Sequence, residues 1–571
     1  MNRRKFLSLT SAGVAAGRAA MRGMTPPAGP EDAKSEAHFL DEKRGVHGFS
    51  VHPPRGGKPN IFLITLDMVS PDFYHPSRPF ARELHLPTLR ALMSDGVFFE
   101  NAFATAPLCS PSRASYLTGR YSYVLGNGER APDGLETELR PDDVIFPEYL
   151  KAVGYITKQC GKCHVGTKKF LDAFGENVNP WNRWSPPIYD DESYLEYERR
   201  LSVKPQKYSR EIVFLQQDRK TPGNSVGGWI VQADGKPFPL EAQYTSYLVR
   251  RAIDKLDDAL ASPTTRDRPV YLQLDIFDPH QPLSVPDGFQ ARESELRSAM
   301  KLPESYESVR NRNWGSIPDQ PKIYDLYRKY WGLYNPQSLF DYRVAYALQM
   351  EVIDRALAVL IQELKRRGLY DESVIILLSD HGEMNGRWAL IDKGVYLFPD
   401  VLRVPLVVKM PASFGIKPHT IDAPVSLLDL APTLLSLAGV EPAARLDGRS
   451  LLPYLDGAET PADRDLIFTS GWHVGVNFAC GIQKRDRNGA HYLYAYNTAS
   501  QIDELYDLNA VEAENLARKP EQAKLRQEMI GRLGAALQKD PRWLGYWASF
   551  RVDHFPELPR VSGDMQLLEP R

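Results

Sequence analysis

The run NIFLITLD, residues 60–67, is apolar from Ile61 to Leu66 but for Thr65 and closes on an aspartate. Continuous rather than alternating hydrophobicity over so short a stretch marks a strand buried on both faces, as in parallel sheets. The design recurs in PVYLQLDIFDPH (269–280) and SVIILLSDHGE (373–383), and VPLVVKMP (404–411) is a further short apolar run. Helical patterns such as LPTLRALMSDG (86–96) and ALQMEVIDRALAVLIQELKRRG (347–368) lie between them. Strand and helix in alternation predict an α/β fold: a doubly wound, mostly parallel sheet with helices on both faces. Ligands of such sheets sit at the carboxyl ends of strands. Asp67, Asp278 to His280, and Asp380 with His381 all fall there. One acid at a strand end can simply cap a turn; three such ends together predict a shared site.

The 571 residues allow one large α/β unit and a smaller one. A net charge of −2 argues against broad binding to nucleic acid or acidic membranes, so a specific site carries the function. The first thirty residues differ from the rest. They lack any acid before Glu31, and Arg3 and Arg4 precede Phe6, Leu7 and a short, weakly apolar stretch. That stretch is too short and polar for a permanent membrane span. It resembles a twin-arginine export signal of bacteria, which implies a periplasmic or secreted protein handed to the twin-arginine translocon. A disordered basic tail or a transit peptide is the alternative. Residues 31–57 are expected to form a linker or arm, 58–458 the catalytic domain, and 459–571 a smaller C-terminal α+β subdomain. Two stretches, 171–245 and 282–340, are rich in Trp, Tyr, Pro and charge, and are expected to be loops over the active face.

Four cysteines are too few for a disulfide scaffold in so long a chain. One of them, Cys109 of APLCSPSRASYLTGRYS (106–122), stands at the mouth of a predicted helix, with Ser110 and Pro111 as expected N-cap and first-turn residues and Arg113 one turn on. A thiol there could be a nucleophile of low pKa, but no histidine–amide pair is marked out to serve it. The carboxylates at the strand ends instead suit a divalent cation, a poor companion for an unmodified thiol. The pair in CGKC (160–163) superficially reads as a redox motif, without the surrounding βαβ unit that motif requires.

CSPSRASYLTGR (109–120) resembles the signature of the type I sulfatases, members of the alkaline-phosphatase-like superfamily. The resemblance extends through NIFLITLD, GYITKQCGKCHVG, DPHQP, LSDHGE, LRVPLVV and LLDLAPTLLSLAGV to ELYDLNA. It implies that Cys109 is oxidised by a maturation enzyme to formylglycine, whose hydrate is the nucleophile, and that Arg113 holds that hydrate and the sulfate. It further implies Asp67, Asp380, His381 and the modified Cys109 as ligands of one divalent cation. Calcium is the family's usual ion, and a histidine ligand moves preference towards manganese or zinc. Lys162, His164, His280 and Lys393 match the sulfate-binding and proton-transfer groups. Attack by the hydrate would give a sulfated enzyme, the alcohol leaving with a proton from His280 or Lys393 and His164 then reopening the aldehyde.

The sequence departs from the common pattern in three places. Met68 stands where many members carry a second acid; the branch resembling choline sulfatases and phosphonate monoester hydrolases also lacks that acid and pairs Asp with His on the other strand. Cys163 replaces an aromatic residue or Met, and NGRWALIDKG (385–394) lacks a common GEHG stretch, which loosens the match at Lys393. The resemblance therefore implies a sulfuric ester hydrolase acting on carbohydrate, aryl or alkyl sulfates. A phosphonate or phosphate diester hydrolase on the same scaffold, and a binding protein that has kept the fold, are the alternatives.

Overall fold

The computed structural model describes residues 49–51, 57–125, 139–175, 185–315, 317–442, 444–457, 464–471, 478–486, 488–497, 500–540 and 542. The expected export signal lies outside the described residues, as does most of the expected arm. The described piece of that arm, Phe49–Val51, pairs antiparallel with Val440–Pro442.

Seven strands make the central sheet: β1 (Asn60–Leu66), β2 (Val97–Phe99), β3 (Ile156–Gly161), β4 (Val270–Asp275), β5 (Ser373–Ser379), β6 (Leu406–Lys409) and β7 (His419–Ile421). Their spatial order is β7-β2-β6-β5-β1-β4-β3. Only β6 runs against the others, pairing antiparallel with both β5 and β2. The run at 404–411 is thus the exception to the expected parallel pairing. Its first residue instead joins Arg403 in a small separate sheet.

Side-chain alternation explains why the strands are apolar throughout. Ile61, Leu63, Val374, Ile376 and Leu378 pack on one face, against helix α1 (Cys109–Thr118) and the helices Phe146–Ala152, Thr167–Phe174 and Leu430–Leu437. Phe62, Ile64, Leu66, Leu272, Leu274, Ile375 and Leu377 pack on the other, against Pro87–Asp95, α2 (Tyr244–Ala261) and α3 (Pro336–Arg366). Each large side chain so buried contributes about 2 kcal/mol of transfer free energy. Register then places the site: Leu66 stands opposite Ser379 and Thr65 opposite Asp275, so Asp67 and Asp380 leave the sheet side by side.

The two expected loop regions are largely regular. The first holds the helix Glu192–Arg200 and a long hairpin, Gln206–Leu215 with Pro222–Gln232, whose second strand pairs in parallel with Leu283–Pro286 just beyond His280. The second holds the helices Gln290–Ala299, Glu304–Asn311 and Lys322–Trp331. Charged residues on the exposed side of the hairpin, and its glycines, hide the alternation that would have announced it. Past residue 466 the chain forms an antiparallel meander of four strands, Ile467–Gly471, Phe478–Arg485, His491–Asn497 and Ile502–Asp507. The helix Ala523–Gln538 lies on it through Met529, Ile530, Leu533 and Leu537. This is the smaller α+β unit.

Candidate active site

Helix α1 begins at Cys109 itself. Leu108 is its N-cap and, among the described residues, no side chain caps it. Ser110 is therefore not the cap the sequence suggested, and the serine that acts locally is Ser112, whose hydroxyl donates to the Asp380 carbonyl. An uncapped first turn leaves the N–H groups of Cys109 and Ser110 without an intrahelical acceptor, a setting that favours anions.

Asp67, Cys109, Asp380 and His381 come together with one ligand atom from each inside a 4.8 Å span, all buried. One carboxylate oxygen of each aspartate is held by a cation: Lys162 Nζ donates to Asp67 Oδ2 at 2.6 Å and Arg113 Nε to Asp380 Oδ2 at 2.8 Å. The other oxygens face His381 Nε2, at 3.7 Å from Asp67 Oδ1 and 3.6 Å from Asp380 Oδ1. His381 Nδ1 lies 2.9 Å from the Gly382 carbonyl, which can only accept, so Nδ1 carries a proton and Nε2 is the nitrogen turned into the cluster. Two carboxylate oxygens, an imidazole lone pair and the atom at position 109 form a donor set that fits a divalent cation. Gly382 is needed here, since a Cβ would sit 1.9 Å from the Asp400 carbonyl oxygen.

The remaining expected residues line the same space. Cys109 Sγ is 3.1 Å from His381 Nε2 and 3.6 Å from Asp67 Oδ1, and it is also hydrogen-bonded to His164. Burial pushes its thiol pKa up, but Lys162, Lys393, His381 and His164 prevail and hold it well below the usual thiol range. Burial and Cys109 likewise raise Asp67, and Lys162, His280 and Arg113 outweigh them to hold its carboxyl low. His280 Nδ1 lies 2.6 Å from the Gln281 carbonyl, so its Nε2 is the acceptor for the hydrogen bond from Lys393 Nζ. Asp392, 3.2 Å from Lys393 Nζ, helps to keep that ammonium charged despite burial. The backbone is left-handed at Met68, His164 and Asp392 (φ +67°, +58° and +67°), each at or beside one of these groups. Non-glycine residues in this region are held there by their surroundings, and they cluster at functional sites.

Asp278 is not part of the cluster, although it lies at the expected strand end. Its carboxylate accepts from Thr245 Oγ1 and, at 3.1 Å, from Gln243 Nε2. Met68 occupies the place of the missing acid with its Sδ 3.9 Å from Lys393 Nζ. Cys160 and Cys163 are sunk in the apolar cores on opposite faces of the sheet, and burial pushes both thiols up to about 12. That removes the redox reading of CGKC, because neither thiol is nucleophilic and they do not face each other. Cys480 lies where side chains are outside the described set.

Two buried carboxylates escaped the sequence reading. Asp275 accepts from Arg113 Nη1 at 3.3 Å, and Glu383 accepts from the Asp392 N–H at 2.5 Å and the Tyr342 hydroxyl at 3.1 Å. The signal for Asp275 was present, since Gln273 and Asp275 are polar residues on one face of an otherwise apolar strand.

A doubly wound sheet with such a cluster at its carboxyl edge defines the alkaline-phosphatase-like class of hydrolases. Comparison with known families is more specific. Residues 59–440 match the sulfatase family model, and residues 386–539 match the model described as N-sulphoglucosamine sulphohydrolase, C-terminal. The chain belongs to the sulfatase family. It is 27% identical to the choline-sulfatase of Rhizobium meliloti over 81% of this chain and 83% of that protein. It is 24% identical to the ulvan-active sulfatase of Formosa agariphila over 79% of this chain and 76% of that one. The fold is shared with the phosphonate monoester hydrolase of Agrobacterium radiobacter, at a TM-score of 0.60 and 22% identity over 84% of this chain and 95% of that structure. No helix among the described residues is long and apolar enough to cross a membrane.

Proposed function

We propose that this sulfatase hydrolyses sulfate monoesters through formylglycine at position 109 and one divalent cation held by Asp67, Asp380, His381 and the residue at 109. The observation that carries the reading is the convergence of those four ligands with Arg113, Lys162, His164, His280 and Lys393 in one buried site at the start of α1. The cation, when bound, supplies Lewis acidity towards a sulfate oxygen. Position 109, once oxidised and hydrated, supplies the attacking hydroxyl, for which the cysteine Sγ stands in here. Arg113 and Lys162 bind the anionic oxygens and offset the charge that builds on them. His164, bonded to the atom at position 109, takes the proton that must leave there. The Lys393–His280 pair shares one proton at Nε2 and delivers it to the departing alcohol oxygen.

The names of the relatives support both small alkyl sulfates and sulfated saccharides as the substrate class. Residues 58–458 are assigned to catalysis and 459–571 to a supporting subdomain. The N-terminal pattern supports export in the folded state through the twin-arginine translocon to the periplasm or beyond, after conversion of Cys109 by a maturation enzyme. The deciding experiment couples peptide mass spectrometry with turnover. Active protein should carry oxygen in place of sulfur at position 109, and should cleave at least one of a panel of aryl, alkyl and saccharide sulfates faster than phenyl phosphonate esters. Full activity with an unmodified thiol ends the mechanism, and preference for the phosphonate ester transfers the chain to the alternative activity.

A further inference from the structure

We propose that Asp275 is a positioning residue that fixes the guanidinium of Arg113 from the side away from the metal cluster. The inference rests on the reading above that Arg113 binds the sulfuryl group.

Tyr271, Gln273 and Asp275 alternate onto one face of β4, and all three are completely buried. The Tyr271 hydroxyl donates to Gln273 Oε1 at 2.7 Å. That leaves the Gln273 amide to donate to Asp275, at 3.1 Å to Oδ1 and 2.9 Å to Oδ2. From β3, Gln159 Nε2 donates to Asp275 Oδ2 at 2.9 Å. A polar stripe of this kind contributes nothing to packing that Val or Leu would not, and a buried carboxylate costs several kcal/mol unless it is fully partnered. The network runs inward and ends on Arg113 Nη1, 3.3 Å from Asp275 Oδ1.

Arg113 meets four acceptors: Asp380 Oδ2 at Nε, the Lys162 carbonyl and Asp275 at Nη1, and Asp67 Oδ2 at 3.5 Å from Nη2. Asp67 and Asp380 also belong to the metal cluster. Asp275 and the Lys162 carbonyl do not, so they fix the guanidinium plane independently of the ion. The same residue holds a second cation in place. The Asp275 carbonyl accepts from the Lys162 N–H at 3.1 Å, an approach that requires glycine at 161, where a Cβ would lie 2.0 Å from that oxygen.

The test compares Asp275→Asn, Arg113→Lys and the double variant in the metal-loaded full-length protein. Asparagine keeps the shape of Asp275 but turns an N–H towards either Arg113 or the glutamines. Losing one charge-assisted hydrogen bond to the catalytic arginine should cut kcat about 10- to 100-fold. Asp275→Asn should melt several degrees lower, because a buried N–H now meets donors, yet remain folded at the assay temperature with metal content near wild type. Lysine cannot reproduce the planar fork, so in the Arg113→Lys background the same change should alter turnover less than about threefold. Calorimetric binding of inorganic sulfate, run on the same four proteins, gives the same cycle where turnover of Arg113→Lys is too slow to follow. Wild-type kcat in folded Asp275→Asn, or an equal loss in both backgrounds, overturns the proposal. If the wild type cleaves no sulfate ester, the functional reading fails separately, and the sulfate-binding cycle still decides whether Asp275 acts through Arg113.

Discussion

Replacing Glu504 with Gln should remove a defined part of the protein's pH-dependent stability. Glu504 is fully buried in the meander, where the Tyr324 hydroxyl donates to Oε1 and Asn497 Nδ2 to Oε2, each at 2.8 Å, and the Tyr506 hydroxyl is a third partner. Burial is the largest influence and neighbouring Asp503 adds to it, so the carboxyl is pushed from 4.5 up to about 7 despite those hydrogen bonds. The folded protein therefore keeps a proton that the unfolded chain gives up between these two values. The resulting stability is fully present below pH 4.5 and is lost as pH rises through about 7. At about 1.4 kcal/mol for each pH unit spanned, the loss amounts to about 3 kcal/mol. A glutamine amide mimics the protonated acid, with one acceptor oxygen and N–H donors, and the tyrosine hydroxyls can turn to accept from it. The assay is urea unfolding of both proteins between pH 4.5 and 8, read as the difference between them so that contributions common to both cancel. The variant should gain on the wild type steadily as pH rises, by about 3 kcal/mol in total. Parallel stability curves would show that Glu504 is ionised in the folded state or has no special environment, and the reasoning would fail.

Three further outcomes are expected. Changing Cys160 and Cys163 together to Ala should leave kcat within about tenfold of wild type, about 1.4 kcal/mol in barrier, measured beside Lys162→Ala and His164→Ala, which should lose far more. Lys393→Met should slow alkyl sulfates at least about 100-fold while sparing nitrophenyl sulfate, whose leaving group needs no proton. A plot of rate against leaving-group pKa checks this, and an equal loss for both would deny Lys393 the acid role. Chelation should abolish activity with far-UV circular dichroism unchanged, and elemental analysis should find one metal per chain, calcium ahead of manganese. Two tightly bound ions per chain would mark a two-metal site instead.

Much of the fold was legible because burial on both faces leaves its mark in composition: β1, β4 and β5 could hardly be anything but interior strands. The site was legible for the same topological reason, since strand-end acids converge whatever the intervening chain does. The hairpin of the first insert was not. Its strands are half exposed, carry charge on the open side and are shifted in register by bulges at Ser209, Ile212 and Phe214, so no regular alternation survives in the sequence. The cap of α1 was misread because Ser110 has the right chemistry one residue too late. Asp278 was misread because position along a strand predicts where a residue lies, and its partners on α2 decide where the carboxylate points.

The charges gathered at the site bear on what it can bind. Asp67, Asp380 and Asp275 are balanced by Arg113, Lys162 and Lys393, all buried, and Asp392 beside Lys393 leaves one negative charge in excess. With a cation on its Nε2, His381 is neutral and does not change that sum. A divalent ion in the four-donor cluster would reverse it to one net positive charge. A sulfate monoester carries one negative charge and matches; so does a phosphonate monoester or a phosphate diester. A phosphate monoester, with a second ionisation near pH 6, is largely dianionic at neutrality and does not. In a buried site such a mismatch is expensive, because low polarity magnifies every unpaired charge. Under the proposed one-cation mechanism, charge would therefore select monoanionic esters as a class, and discrimination within it would fall to shape. The segments placed to supply that shape are the inserted ones, since the hairpin is tied by its second strand to Leu283–Pro286, three residues past His280.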